Sequence, residues 1–299
     1  MNAFWLVLVN ILEEGLIYGL MAMGVYITYR VLSFPDLTVD GSFPLGGCVT
    51  AALLLAGADP LVTLLAVFLC GCLAGLVTGL LHVKLGITDL LSGILTMTAL
   101  WSINLVVAGG KAVVPFYNEP TIFNAGLAAL LPAGLYPRRV LIVLALIALA
   151  VKLVMDWFMR TKTGLLLRAA GDNPQFSSSL AVNPGRMKIL GLMLGNGLTA
   201  LSGGVLAQQA GSANVASGTG MVVMGLASVI IGLNLFKRLR FLKDTTRAVL
   251  GAILYKACLA VAMLLGLPAN YLKLLMSALF VVALVSGGFM GGRGKKRHA

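Results

Sequence analysis

Long apolar segments, each about 20 residues in length, dominate this chain and limit what it can fold into. A helix of about 20 residues crosses the hydrocarbon core of a bilayer, because each residue adds about 1.5 Å. In lipid the backbone must satisfy its own hydrogen bonds, so these segments are expected to be helices. The 299 residues have room for about eight to ten such spans. We therefore expect a single all-α, polytopic integral membrane domain over residues 1–299.

The composition excludes proteins that need a charged surface. Hydrophobic residues make up 59% of the chain and charged residues 11%, whereas a soluble domain carries about 25% charged residues. The net charge of +12 is explained better by lysine and arginine on cytoplasmic loops than by a nucleic-acid site. We expect contact with membrane lipids and no nucleic-acid partner.

The basic residues orient the predicted spans. The spans cover residues 4–28, 61–83, 90–108, 140–159, 189–208, 220–235, 248–267 and 272–290, with a shorter apolar segment at 48–58 after the polar stretch 29–47. Basic clusters at 160–188, 236–247 and 291–299 fall on one side, which should be the cytoplasm. Counting back places the N-terminus outside. Arg138 and Arg139 fall on the outer side as a minority signal.

Two regions interrupt apolar sequence in a similar way. GLMAMG at 19–24 leads into a polar turn and a short apolar segment, and GLMLGNGLTALSGG at 191–204 leads into QQAGSANVASGTG and another short span. Broken helices in corresponding halves are typical of transporters with internal repeats. Coincidence is the alternative, because glycine is common in membrane helices.

Polar side chains gather around these interrupted helices. The candidate pathway residues are Asp36, Asp40, Asn104, Asn196, Gln208, Gln209 and Asn214. Amides that line a cavity can bind a polar solute without carrying charge. Hydrogen bonding between helices is the alternative, and it is favoured for any single residue. As a group, the residues indicate a pathway.

Two pairs of charged residues within predicted spans are candidates for a function in transport. Glu13 and Glu14 could couple transport to an ion, because charge in lipid is costly and commonly functional. We favour an interfacial position or pairing with a neighbouring helix, since adjacent side chains point about 100° apart. Lys152 and Asp156 are four residues apart and are expected to pair on one helix face.

A row of small residues in the span at 189–208 predicts close helix packing. The row consists of Gly191, Gly195, Thr199, Gly203 and Ala207. Such a face can lie inside the subunit or between subunits, and the sequence leaves both open.

Motifs of enzymes and metal sites are absent. The chain has no HExxH, CxxC, GxSxG or GxxxxGK[ST] motif. Its cysteines lie in apolar or glycine-rich sequence and are expected to be small core residues. They are Cys48, Cys70, Cys72 and Cys258. We expect no catalytic residue, metal or bound cofactor, so energy must come from a partner or an ion gradient.

The polar, basic segment at residues 160–188 stands between two long apolar runs. Its sequence predicts a helical turn ending near Gly171, with Asp172 as the cap of a second short helix and Pro174 in its first turn. Phe176 and Leu180 give that helix an apolar face. We expect an amphipathic helix along the membrane that contacts another protein; a merely solvated loop is the alternative.

The string LRAAGDNPQFSSSLAVNPGRMK at 167–188 resembles the permeases of ATP-binding-cassette importers, of the branched-chain amino acid and ribose type. Those permeases carry Arg-Ala-x-Gly-x-Asn, a short helix and then Gly-Ile-Asn. The matching residues are Arg168, Ala169, Gly171 and Asn173, followed by Ala181, Val182 and Asn183. Ala181 departs from the pattern. SFPDLTVDGSF and GITDLLSGILTMTALWSINL are most similar to a subgroup described as tryptophan/tyrosine or similar solute permeases.

The resemblance implies a function. It implies import of a small solute, with amino acids favoured, across the bacterial inner membrane. It also implies a permease homodimer, an external solute-binding protein, and cytoplasmic ATPase subunits that hold ATP and Mg²⁺. The segment 160–188 would dock on the ATPase through Arg168, Ala169, Gly171, Asp172, Asn173, Pro174, Phe176 and Leu180. A bulky residue at Gly171 or Asn173 is then expected to separate ATP hydrolysis from transport without unfolding. An ion-coupled secondary transporter is the alternative.

Overall fold

The computed structural model describes residues 3–125, 138–172, 183–237, 239, 241–268 and 271–291. Almost all regular structure in this part of the chain is helical. The helices are α1 Ala3–Val25, α2 Val39–Leu55, α3 Pro60–Val83, α4 Asp89–Val107, α5 Arg139–Phe158, α6 Lys162–Asp172, α7 Pro184–Ala210, α8 Met221–Leu235, α9 Asp244–Leu264 and α10 Leu272–Gly291. A π-helical turn, Tyr26–Val31, continues α1, and a 3-10 turn, Val215–Gly218, precedes α8.

The described helices confirm the all-α, multi-pass fold. Seven helical stretches are long and apolar enough to cross a membrane. They are Trp5–Val31, Pro60–Val83, Asp89–Val107, Arg139–Phe158, Pro184–Ala210, Val215–Leu235 and Asp244–Leu264. Two shorter apolar helical stretches, Val39–Leu55 and Leu272–Val285, accompany them.

Helix α7 forms the centre of the subunit. Every residue from 195 to 205 is buried, and α1, α2 and α3 pack around it. The helices approach closely because glycines meet backbone carbonyls: a methyl group at Gly203 would overlap the carbonyl oxygen of Phe43 in α2. Gly24 in α1 meets the carbonyl of Gly195 in the same way. The small-residue face predicted for this helix therefore packs inside the subunit.

The start of α2 differs from the sequence prediction. Helix α2 begins at Val39, whereas we expected the apolar segment to begin at residue 48. Pro44 interrupts the helix little, because it comes just after the first turn and removes only the bond to the Asp40 carbonyl. Glycine disfavours a helix when nothing packs on it, but Gly41 is a packing position: a Cβ there would lie 2.9 Å from Leu100.

The two ends of the bundle differ in charge. At one end, Lys188 Nζ lies 3.1 Å from His82 Nε2, and Lys243 Nζ lies 2.8 Å from an Asp156 carboxylate oxygen. Arg160 and Arg168 line one cavity with Lys243 and Arg247, so the described parts of the basic segments 160–188 and 236–247 meet at this end, as predicted. The basic tail lies outside the described residues.

At the opposite end, a small antiparallel sheet joins two connections. Strand β1, Val113–Pro115, pairs with β2, Ser212–Asn214, and Val113 lies opposite Asn214. Arg138 stacks over the Trp5 ring at 5.7 Å near the start of α5. This end corresponds to the outer side predicted from the basic residues.

Adjacent glycines of α2 provide a matched stability test. A methyl group at Gly46 would overlap the Ala200 carbonyl, whereas at Gly47 it would lie 3.6 Å from Ala207 Cβ. Gly46→Ala should lower the free energy of unfolding by about 2 kcal/mol through overpacking. Gly47→Ala should change it by less than about 1 kcal/mol. Thermal unfolding in detergent measures both, and equal losses would contradict the packing described here.

Candidate transport and coupling site

A buried carboxylate links the segment before α2 to the central helix. Asp36 is only 4% exposed. One of its carboxylate oxygens accepts the Thr38 N–H at 2.9 Å and the other accepts Asn196 Nδ2 at 2.6 Å. The Asn196 carbonyl oxygen in turn accepts the Ser42 hydroxyl at 2.7 Å. Two of the predicted residues, Asp36 and Asn196, are thus directly bonded.

The same segment is also fixed to α3. The hydroxyl groups of Thr38 and Thr78 lie 2.8 Å apart, and both side chains are buried. Together with the Asp36 bonds, this contact holds residues 36–42 against α3 and α7. Ser42, Thr38 and Thr78 were not among the predicted site residues. Thr38 and Ser42 belong to the polar stretch 29–47, where several polar residues could have been chosen, and Thr78 is a single hydroxyl in an apolar span, which is common in membrane helices.

Asp40 belongs to the first turn of α2, and its side chain lies at the N-terminus of α8. Its carboxylate accepts the backbone N–H of Val222 at 2.7 Å and that of Gly220 at 3.1 Å. These N–H groups belong to a helix N-terminus, which carries partial positive charge and favours an anion. Gly220, with φ of +89°, adopts the left-handed conformation needed at this turn. The positive charge of Lys273, at the start of α10, also favours a carboxylate at this position.

The other predicted amides bond separate segments of the chain. Asn104 Nδ2 donates to the Gly41 carbonyl at 3.0 Å, next to Asp40. Gln208 accepts the Ile122 N–H at 2.9 Å and donates to the Pro60 carbonyl at 3.3 Å.

The last two amides lie at the outer end. Gln209 donates to Glu13 at 3.2 Å, and Asn214 accepts the Ala216 N–H at 2.8 Å. Four of the predicted residues thus lie around the start of α2: Asp36, Asp40, Asn104 and Asn196. The other three lie at the outer end: Gln208, Gln209 and Asn214. Every member of the predicted set has at least one hydrogen bond, and that of Asn214 is local, at the start of the 3-10 turn.

The ionisable residues in the spans are paired. Glu14 forms a salt bridge with Lys256 of α9 at 2.6 Å, and the Lys256 ammonium lies 4.3 Å from the centre of the Tyr18 ring. Asp156 pairs with Lys152 at 3.3 Å, as predicted from their spacing. The favoured expectation for these residues, pairing between or along helices, is confirmed.

Helix α6, the first part of the basic segment, is tightly packed on the inner end of α1. A methyl group at Gly171 would overlap the Val31 carbonyl oxygen, which belongs to the π-helical turn. Leu167 is completely buried, while Arg168 and Asp172 are exposed. Asn173, Pro174, Phe176 and Leu180 lie outside the described residues.

The packing of Gly171 corrects one expectation. We expected a bulky residue there to affect coupling without unfolding. Because even a methyl group would collide with the Val31 backbone, such a substitution must displace α6 or the π-helical turn. Backbone atoms cannot move aside as a flexible side chain can. A test of coupling therefore has to use exposed positions of α6.

Residues 7–284 match the protein family described as "Branched-chain amino acid transport system / permease component". The chain belongs to this family. It is accordingly the multi-pass permease component of an ATP-binding-cassette transport system of the inner membrane, in agreement with the resemblance of the segment at 167–188. No solved structure matches the chain.

Curated relatives cover most of this permease. It is 41% identical to a tyrosine transport system permease protein of Clostridioides difficile, over 98% of this chain and 95% of the relative. It is 27% identical to a probable branched-chain amino acid transport permease protein of Methanocaldococcus jannaschii, over 66% of this chain and 65% of the relative. A ribose import permease protein of Haemophilus influenzae is 23% identical, over 69% of this chain and 62% of the relative.

A double-mutant cycle tests the Asp36–Asn196 bond. Replacing either residue by Ala leaves a buried polar partner with fewer hydrogen bonds. The double variant should therefore be more stable than the sum of the single losses predicts, by about 1.5–3 kcal/mol. Thermal or denaturant unfolding in detergent provides the measurement. The pair of Asn196→Ala and Asp40→Ala is the control, because no bond joins those side chains, and it should be additive within about 0.5 kcal/mol.

Proposed function

We propose that this permease imports an amino acid, with an aromatic amino acid such as tyrosine as the first candidate. It works as a homodimer with two cytoplasmic ATPase subunits and an external solute-binding protein. ATP and Mg²⁺ are bound by the ATPase, and this chain holds no cofactor. The family supports the transport system, and the tyrosine transport permease from Clostridioides difficile supports the choice of solute.

The contact between Gly171 and Val31 carries the coupling part of the proposal. Helix α6 leads into the segment proposed to dock on the ATPase, and it rests on the π-helical turn at the inner end of α1. π-Helical turns are frequent at functional sites. The chain continues from this turn to Asp36, whose carboxylate binds Asn196 of α7.

A displacement of α6 therefore reaches the membrane interior through two contacts, Gly171 with Val31 and Asp36 with Asn196, which the chain between residues 31 and 36 connects. Gly191 of α7 strengthens the route, because it packs against both Leu32 and Leu167. An ATPase that moves residues 160–188 would move the π-helical turn and the start of α2 with them. This is the step by which ATP hydrolysis changes access to the pathway.

Asp40 is the side chain we propose for contact with the solute. It is partly exposed, although the helices around it are apolar and a charge in lipid is costly. We infer that it faces a hydrated space in the assembled homodimer. A carboxylate in this hydrated space binds the ammonium group of an amino acid. Lys273 places a positive charge near the same carboxylate.

The ion-coupled alternative has less support. It depended on Glu13 and Glu14, but Glu14 is neutralised by Lys256 and Glu13 accepts a hydrogen bond from Gln209. Each carboxylate thus has a partner on another helix. Uptake driven by an ion gradient in vesicles that lack the ATPase would restore this alternative.

Charge reversal on α6 tests the coupling. The permease is reconstituted with its ATPase and binding protein, and ATP-driven uptake of labelled tyrosine is measured. Asp172→Lys, at the end next to the docking segment, should reduce uptake about tenfold, equivalent to about 1.4 kcal/mol of lost interaction. Lys162→Glu reverses an exposed charge at the other end of α6 and should retain most activity. Equal effects of both changes would refute docking near Asp172.

Neutralisation of Asp40 tests the solute contact. Asp40→Asn keeps one oxygen that accepts an N–H at the α8 N-terminus, replaces the second acceptor by an NH2 group, and removes the charge that binds an ammonium group. Uptake should fall about tenfold or more, because a charged hydrogen bond contributes about 1.5–3 kcal/mol. Asp59→Asn is the control, since Asp59 also caps a helix, α3, but lies at the outer end. Unchanged uptake by Asp40→Asn would remove this residue from the pathway.

A further inference from the structure

A basic cavity lies at the cytoplasmic end, apart from the transport pathway proposed above. It has a volume of about 360 Å³ and lies between the π-helical turn, the end of α5, helix α6 and the start of α9. Four cations line it, from three different segments: Arg160, Arg168, Lys243 and Arg247. Among the described residues, two carboxylates line it with them, Asp156 and Asp244.

Both carboxylates already have partners. Asp156 accepts hydrogen bonds from Lys243 at 2.8 Å and Thr245 at 2.6 Å, in addition to its salt bridge with Lys152. Asp244 pairs with Arg247 at 2.7 Å. Within the described part of the chain, no salt bridge engages Arg160 or Arg168. Two guanidinium groups thus contribute positive charge to the cavity without a carboxylate of this region to balance it.

Arg247 gives a second, independent indication of a missing acceptor. Its terminal nitrogens donate to Asp244 at 2.7 Å and to the Leu239 carbonyl at 2.9 Å. Its Nε is buried and has no hydrogen-bond partner among the described residues. Buried donors are almost always paired, because an unpaired one costs about 1–3 kcal/mol. An anion in this cavity would supply acceptors where the protein has an excess of donors.

We propose that this cavity binds a phosphate-bearing anion, and that in the membrane this anion is the headgroup of an acidic phospholipid. Guanidinium groups match phosphate oxygens through paired N–H donors. Large aromatic side chains mark the level of the headgroups: Trp157, just before Arg160, is 68% exposed, and Phe241, just before Lys243, is 79% exposed. Basic pockets between helices on the cytoplasmic side are a known mode of acidic lipid recognition.

The position of this site gives it a role. A bound headgroup would join the turn after α5, helix α6 and the start of α9, since Arg160, Arg168 and Arg247 come from these three places. It would hold α6 beside the π-helical turn, because Tyr26 of that turn lines the same cavity as Arg168. Acidic lipid should therefore stabilise the folded permease independently of which solute it transports.

Thermal unfolding of the purified permease in detergent tests the site. Phosphatidylglycerol should raise the unfolding temperature by several degrees, whereas phosphatidylcholine should not. In the double variant Arg160→Gln, Arg168→Gln, the concentration of phosphatidylglycerol needed for half of this shift should rise about tenfold. Lys162→Gln removes an equal charge from α6 outside the cavity and should respond as the unaltered protein does. If the double variant unfolds in detergent, the two single variants are compared instead.

Inorganic phosphate distinguishes the two sources of the anion. Stabilisation by phosphatidylglycerol that millimolar phosphate cannot reproduce identifies a lipid headgroup. Stabilisation by phosphate alone, lost in the same variants, identifies a free phosphate-type ligand and keeps the anion site. The proposal is overturned if neither compound stabilises the protein, or if Lys162→Gln loses as much of the response as the double variant. It is also overturned if the cavity variants impair only ATPase binding, because the cations then serve a protein contact.

Discussion

The close approach of glycines to backbone carbonyls around α7 is the constraint on which the rest of this structure depends. Without a hydrophobic driving force between helices in lipid, association relies on packing and hydrogen bonds. Gly24, Gly46 and Gly203 let α1, α2 and α7 meet at backbone distance. Only at such distances can short polar side chains such as Ser42 and Asn196 bond across helices. The packing therefore comes first, and the polar network follows from it.

The same principle connects the cytoplasmic segment to the membrane interior. Gly171 brings α6 onto the Val31 carbonyl, and Gly191 brings α7 onto Leu32. Both contacts act on the few residues between α1 and α2, where Asp36 is buried. Because these contacts involve backbone atoms or tightly packed side chains, they hold the segment between α1 and α2 firmly against α6 and α7. A permease component that a separate ATPase drives needs a rigid connection of this kind to that ATPase.

The sequence predicted the fold class, most spans and the shared side of two basic segments, because these depend on hydropathy and charge alone. It also predicted the Lys152–Asp156 pair, which depends only on helical spacing. It misplaced the start of α2, because Gly41, Pro44 and Gly46 are read as helix breakers when their packing partners are unknown. It proposed seven polar pathway residues as one set, but the structure separates those around α2 from Gln208, Gln209 and Asn214 at the outer end.

The sequence by itself determined that this protein is a multi-pass permease with a basic segment between two apolar runs. Apolar length, charge asymmetry and the Arg168–Asn173 motif are local properties, so no knowledge of neighbours is needed to recognise them. Only the tertiary structure decided the partners: Asp36 with Asn196, Asp40 with the N-terminus of α8, and Gly171 with Val31. These contacts join residues far apart in the chain. Which distant helices meet is set by their mutual packing, and no single segment specifies it.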